Sequence, residues 1–288
     1  MTTRNTVTAP QAGLVLLSVD LPHGAIQART EPGRTVAEVT VTTEDPALAE
    51  AVRDTASSWN PARDELIVRV PDTGASTHTT VISHGATVTG MDFTGGVVNV
   101  GGGTVTISGM TIAGDTVVGG AVGAVTVTAL LPEGSGLVTH TRSADVDAKG
   151  TFEGVKATSA SGSVDVARVR YLIVNTASGS VRADVAEHVA VHTKSGSVRV
   201  GHTVDVSVST KSGTITVGDY ASYGTGGTAH LEAASGAIAL TASGPGHVTA
   251  RSGSGRVDID AGPHLDPATL TVRASSRTGR VRTPGGAR

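Results

Sequence analysis

The stretch ASGSVRADVAEHVAVHTKSGSVRV, residues 177–200, carries Ser178-Gly179-Ser180-Val181 and then, 17 residues on, Ser195-Gly196-Ser197-Val198. Aligning every related stretch on its glycine finds the same phase at Ala144, Gly162, Gly179, Gly196, Gly213, Gly236, Gly255 and Gly279. The steps between them are 18, 17, 17, 17, 23, 19 and 24 residues. A hydroxyl residue precedes each one, as in Ser143, Ser161, Ser178, Ser195, Ser212, Ser235, Ser254 and Thr278. Apolar residues recur two and four positions after the phase and five and seven before it. Period-2 alternation broken by a fixed Gly describes two short strands meeting at a corner, and not a helix. A step of about 17 residues is too short for a four-stranded propeller blade but suits one coil of a parallel β-solenoid, with successive coils about 4.8 Å apart. Ser161, Gly162, Ser178, Gly179, Ser195, Gly196, Ser212, Gly213, Ser235 and Gly236 are thereby assigned to structural corners. Gly there supplies positive φ, and Ser bonds nearby backbone.

Composition agrees with strands. Gly is 38 of 288 residues, Val and Thr are abundant, and aromatics make up only 2%. Expected in residues 13–75 are strands near 14–20, 24–30, 34–43 and 65–70. One helix is expected at 46–58, with Asp45 as N-cap and Pro46 at its first position. Residues 76–128 are Gly-rich and lack the period, which reads as tight extra coils or a large insertion. The expected organisation is a strand-rich N-terminal region with one helix at 1–75, that insertion at 76–128, solenoid repeats at 129–283 and a tail at 284–288. The fold class is therefore all-β, a parallel β-solenoid (β-helix) of about 17-residue coils behind the N-terminal region.

Several stretches carry a family resemblance. They are Val19-Asp20-Leu21-Pro22-His23-Gly24, Leu66-Ile67-Val68-Arg69-Val70-Pro71, Leu131-Pro132-Glu133-Gly134-Ser135 and the Ser-Gly-Xaa-Val series that follows. Over roughly residues 13–283 the chain resembles the bacterial β-strand-repeat domains called "putative adhesin", a domain of unknown function, and looks most like their soluble actinobacterial members. The resemblance implies a β-solenoid and brings no reaction with it. Stretch 76–128 is longer and more Gly-rich than the family pattern.

Each chemistry-bearing cluster also has a plain structural reading. Asp145 and Asp147 lie about 6.7 Å apart on one strand, and Asp165 repeats the phase of Asp147 one coil on, about 4.8 Å away. Carboxylates about 5 to 9.5 Å apart suit glycoside hydrolysis. Arg182 follows Asp165 in its column, so an exposed ion-pair ladder suffices to account for them, and no Trp or Tyr lies in the patch to stack on a sugar ring. His188 and His192 are about 13 Å apart along a strand, too far for one ion at about 2.1 Å. His140 falls three coils from His192, and only a folded-back loop would bring His202 to His188. No Ser sits in a nucleophile elbow. Gly95-Gly96 and Gly101-Gly102-Gly103 lack the Lys and the helix of a phosphate loop. Lys194 and Lys211 share a column, with Arg182 and Arg199 close by, and these four form the expected interaction face.

The remaining classes are bounded by what the chain contains. Without Cys there is no disulfide, thiolate or Cys-ligated zinc. A net charge of −3 and few aromatics argue against nucleic acid as a partner. No apolar run approaches the roughly 20 residues of a membrane span, and the N-terminal residues do not read as a signal peptide, so a cytoplasmic location is expected. The functional expectation is a non-catalytic scaffold or protein-interaction surface without cofactor or catalytic residues, its protein partner unidentified, with homo-oligomerisation by solenoid stacking. The alternatives are a polysaccharide-acting enzyme using Asp145, Asp147 and Asp165, or an adhesin.

Overall fold

A computed structural model describes residues 2–72, 124–222 and 227–284, and between them only the short strands of 81–119. The protein is all-β, a β-solenoid-like repeat in which one 20-stranded sheet wraps around a single core. Strand Val164–Ser178 pairs in parallel with Val181–Ser195, matching Val164 to Val181 and Leu172 to Val189. Beyond them the register joins Val198 to Ile215, Ile215 to Ile238, Ile238 to Val257 and Val257 to Val281. These offsets are the steps that separate the Ser-Gly corners in the sequence. Like residues therefore stack on like.

Alternation puts Val146, Val164, Val181, Val198, Ile215 and Ile238 in one buried row and Leu137, Val155, Leu172 and Val189 in the facing one. A third inward row lies at a bend within the long strands, where the pairing of Asp145–Ser159 with Val164–Ser178 shifts register between Ala148 and Thr151. There Phe152 stacks on Val169 and Val169 on Ala186.

The N-terminal stretch, read from sequence as a region of its own, supplies strands to the same sheet. Leu16–Leu21 pairs in parallel with both Gly136–Thr141 and Glu65–Arg69. Ala25–Glu31 lies between Thr126–Pro132 and Asp145–Ser159. Stacking order thus departs from chain order: the layer built from 65–72 and 125–132 precedes the layer 16–31. The corner between these two halves is where residues 73–123 are inserted. Within that stretch, Met110–Ala113, Thr104–Ile107 and Val88–Met91 form one three-stranded sheet, and Val117–Gly119, Val97–Val100 and Val81–Ile82 another. The rest of the Gly-rich stretch, with both glycine runs considered as phosphate loops, lies outside the described residues.

One end is closed by antiparallel strands, Thr3–Thr8 on Glu38–Thr43 and Ala56–Asn60 on Glu65–Arg69. The helix expected at 46–58 is shorter than its sequence pattern. Asp45 accepts from the Ala47 N–H as N-cap, a 3-10 turn runs Pro46–Leu48, and the α-helix covers only Ala49–Arg53. Thr55, Ser57 and Ser58 are weak helix formers, and as a strand this segment sets Trp59 opposite Leu66. None of the helices among the described residues is long and apolar enough to cross a membrane.

Positive φ is found at Gly196, Gly213 and Gly236, at +139°, +147° and +149°, but not at Gly162 or Gly179, where glycine is required instead because a Cβ would strike the carbonyl of the coil beneath. The corner serines Ser161, Ser178 and Ser195 make long bonds to backbone, to Arg142 O at 3.3 Å, Ala160 O at 3.5 Å and Ala177 O at 3.4 Å. Shorter corner bonds come from a buried or half-buried hydroxyl three residues before the glycine. The Gly162 N–H donates to Ser159 Oγ at 2.8 Å, and Ser252 and Ser276 donate to Gly236 O and Gly255 O at 3.0 and 2.8 Å. Buried in the same phase are Thr176, Thr193 and Thr210.

Tyr220 gives the core a pH limit. It is fully buried, and that burial, with the charge of Asp205 adding, pushes its phenol up to about 12. A value raised on folding stabilises the protein below the unfolded phenol's value near 10, and that contribution is lost as pH rises through about 12. Two units correspond to about 3 kcal/mol. Phenolate absorbance should therefore show Tyr220 ionising only together with alkaline unfolding. An unchanged unfolding pH in Tyr220→Phe would contradict this.

Candidate functional site

On a solenoid each outward position forms a column, one side chain per coil. Where two successive coils carry small residues, the column opens into a groove. The register Leu16, Gly136, Gly154, Tyr171, His188 is such a column. Two glycines separate Leu16 from Tyr171, three coil steps or about 14 Å apart. A Cβ on Gly136 would lie 2.8 Å from Leu16 Cδ1, so Leu16 leans over the floor, whereas a Cβ on Gly154 would meet only Tyr171 O at 3.9 Å. The neighbouring column supplies Val138, Lys156 and Ile173, and Leu14 closes the side. The resulting cavity is about 440 Å³.

Its far wall is held in place. The Tyr171 ring stacks on His188 with centroids 5.0 Å apart and planes 12° from parallel. His188 Nδ1 is in turn 3.0 Å from Asp205 Oδ2. The Arg170 guanidinium carbon lies 5.2 Å from the Tyr171 centroid, and Arg170 bridges Glu153 at 3.0 Å and Glu187 at 3.5 Å. Rings fixed in this way lose little freedom on meeting a partner. Among the described residues Leu14, Tyr171 and Ile173 are the exposed large hydrophobics, and all three line this groove.

Sequence reasoning missed it. The signal was Tyr171-Leu172-Ile173: the repeat phase sets Leu172 inward, so on an alternating strand both apolar neighbours must point outward. Leu14 to Leu17 carries the same signature.

The residues singled out from sequence fall elsewhere. Asp145 Oδ1 accepts the Ser163 N–H at 2.7 Å and so braces a corner. Asp147 pairs with Lys149 at 2.8 Å. Asp165 is exposed and in register with Arg182. Arg182 is not its ion-pair partner, however. It turns along its own strand to Asp184 at 3.2 Å, because i and i+2 share a face. Lys194 and Lys211 stack on one side of the Ser-Gly corner, and Arg182 and Arg199 stack on the other. His140 and His192 are three coils apart in one column, as expected. His202 is not brought to His188, since its Nδ1 is 2.9 Å from Asp219 Oδ2. Burial alone would raise the Asp219 carboxyl, but hydrogen bonds from Ser243 and His202 hold it below the usual range.

A column-bearing β-solenoid-like repeat with a preformed apolar groove is the class of domain these features define. The chain belongs to the Toastrack DUF4097 family, whose model matches residues 57–280. It is similar to a "putative adhesin" from Bacteroides fragilis at 12% identity, covering 98% of this chain and 97% of that one, with a TM-score of 0.41. It is also similar to one from Parabacteroides distasonis at 11% identity, with 98% and 97% covered and a TM-score of 0.39. The curated proteins provide no match.

Proposed function

We propose that this protein is a non-catalytic interaction domain, a rigid β-solenoid scaffold that docks a protein partner at the groove between Leu16 and Tyr171. The observation that carries the reading is the convergence of Leu14, Tyr171 and Ile173 in one concavity. Solvent-exposed apolar residues scattered singly are ordinary, but a contiguous patch marks an interaction site. Aromatic and Arg side chains dominate interface hot spots, and this wall offers Tyr171 with Arg170 beside it. The acidic trio supports no hydrolytic reading, since Asp145 is spent on a corner and Asp147 on Lys149.

A photocrosslinker at position 171 should capture a discrete partner in the native host. Gly154→Leu, which fills the floor of the groove where there is room for a side chain, should abolish that capture while leaving the melting temperature within a few degrees of wild type. Equal capture by the plugged and open forms would refute the assignment.

A further inference from the structure

A second column opens in the same way, but its walls are cationic. Two residues before the corner glycine, successive coils carry Lys194, Lys211, Ala234, Gly253 and Arg277. The Arg277 N–H donates to Ser252 O at 3.2 Å, and a Cβ on Gly253 would lie 3.6 Å from Arg277 Nη2, so this guanidinium reaches over the gap. Ala234 and Gly253 leave a cavity of about 630 Å³ bounded by Lys211, Arg251 and Arg277.

Charge is uncompensated there. Among the described residues neither Lys211 nor Arg277 has an acidic partner, and Arg251 has only Glu232, at 3.9 Å. His230 also claims Glu232, at 3.2 Å. Three permanent cations thus face one shared carboxylate, in a chain whose net charge is −3. The neighbouring column runs Ser209, Glu232, Arg251, Ser275, so a serine stands at either end of it beside the cations.

We propose that this groove binds an acidic polysaccharide, with carboxylate or sulfate groups on Lys211, Arg251 and Arg277 and sugar hydroxyls on Ser209 and Ser275. Lys211 and Arg277 are three coil steps apart, about 14 Å, with Arg251 between them, so a linear chain with charges spaced along it fits better than a single small anion. The lining offers no Phe, Tyr or Trp for base stacking and only one ring, His192 at its edge, which argues against nucleic acid. The apolar side chains that line it are Ala233 and Ala234, too small to anchor an acidic peptide, whereas hydroxyl groups beside cations match a sugar acid. The inference is independent of the Tyr171 groove, which shares no residue with it.

Binding of the whole protein to heparin (sulfated) and to polygalacturonate (carboxylated) tests it, with neutral dextran, poly-glutamate and duplex DNA as comparisons. At least one acidic polysaccharide should bind at low salt, with affinity falling as salt rises. Lys211→Glu and Arg277→Glu should each weaken it tenfold or more at unchanged melting temperature. Lys156→Glu, an equal charge change in the apolar groove, should alter it less than twofold. The selective pattern in either polysaccharide supports the site and names its anion. Three results would overturn it: no binding to either polymer, equal losses in all three variants, or poly-glutamate or DNA binding as tightly as the polysaccharides.

Discussion

Replacing Gly196 by valine should destabilise the protein by about 2 to 5 kcal/mol, read as a shift of the denaturant midpoint at constant slope. Two penalties act together. Gly196 has φ +139°, a conformation that costs a β-branched residue about 1 to 2 kcal/mol. Its Cβ would also fall 2.9 Å from the carbonyl carbon of Gly179, and nearer still to the oxygen. That neighbour is backbone, fixed by a hydrogen bond from the Gly179 N–H to Ser195 O at 3.2 Å, and cannot swing aside as a side chain would. Overpacking of this kind adds about 1 to 3 kcal/mol. Gly154→Ala is the matched control: its Cβ meets nothing closer than 3.9 Å, so its midpoint should hold or rise slightly. Equal midpoints for Gly196→Val and Gly154→Ala would show that the corners do not depend on close backbone stacking.

The corner rhythm was legible because a repeat reports itself: each coil must match the one beneath, so Ser178-Gly179 and Ser195-Gly196 appear in one phase. The series begins earlier than its Ser-Gly signature. Gly24 occupies the same corner, with φ +126°, Leu17 and Val19 before it and Ile26 and Ala28 after, but His23 stands where a Ser is usual. His23 Nδ1 meets the corner hydroxyl of the adjacent coil, Ser143 Oγ, at 2.7 Å, a side-chain pair in place of a bond to backbone. The crossing that sets 65–72 beneath 16–31 left no mark on the sequence, because column-matching fixes which residues can stack and not the order in which layers are laid down. Ser159 and Thr193 were hidden for another reason. In a buried phase a hydroxyl reads as an interruption of the apolar pattern until the carbonyls or N–H groups it satisfies are visible. The apolar groove was obscured by the same regularity. Attention to what repeats passes over Gly136 and Gly154, whose significance is that the column stops repeating.

Excising Ser180–Gly196, 17 residues, should leave a folded, shorter protein, whereas excising only Ser180–Glu187 should abolish folding. The 17-residue cut joins Gly179 to Ser197, so Val198 takes the place of Val181 above Val164 and Val206 that of Val189 above Leu172. Every inward residue stays inward. Arg199 arrives above Asp165, replacing Arg182 with a residue of the same charge. A solenoid's stability is close to a sum of units and nearest-neighbour interfaces, so losing one unit lowers the total without breaking cooperativity in the rest. Removing Ser180–Glu187 instead takes away the strand after the corner and the bend beyond it. The remaining nine residues to Gly196 cannot both cross the core and return, and the layers on either side would be left with unpaired strand edges. Circular dichroism and thermal melting separate the outcomes: native-like β signal with a sharp, lowered transition for the full-coil cut, and no cooperative transition for the half-coil cut. Loss of cooperativity in both would mean that the stack depends on contacts beyond adjacent layers.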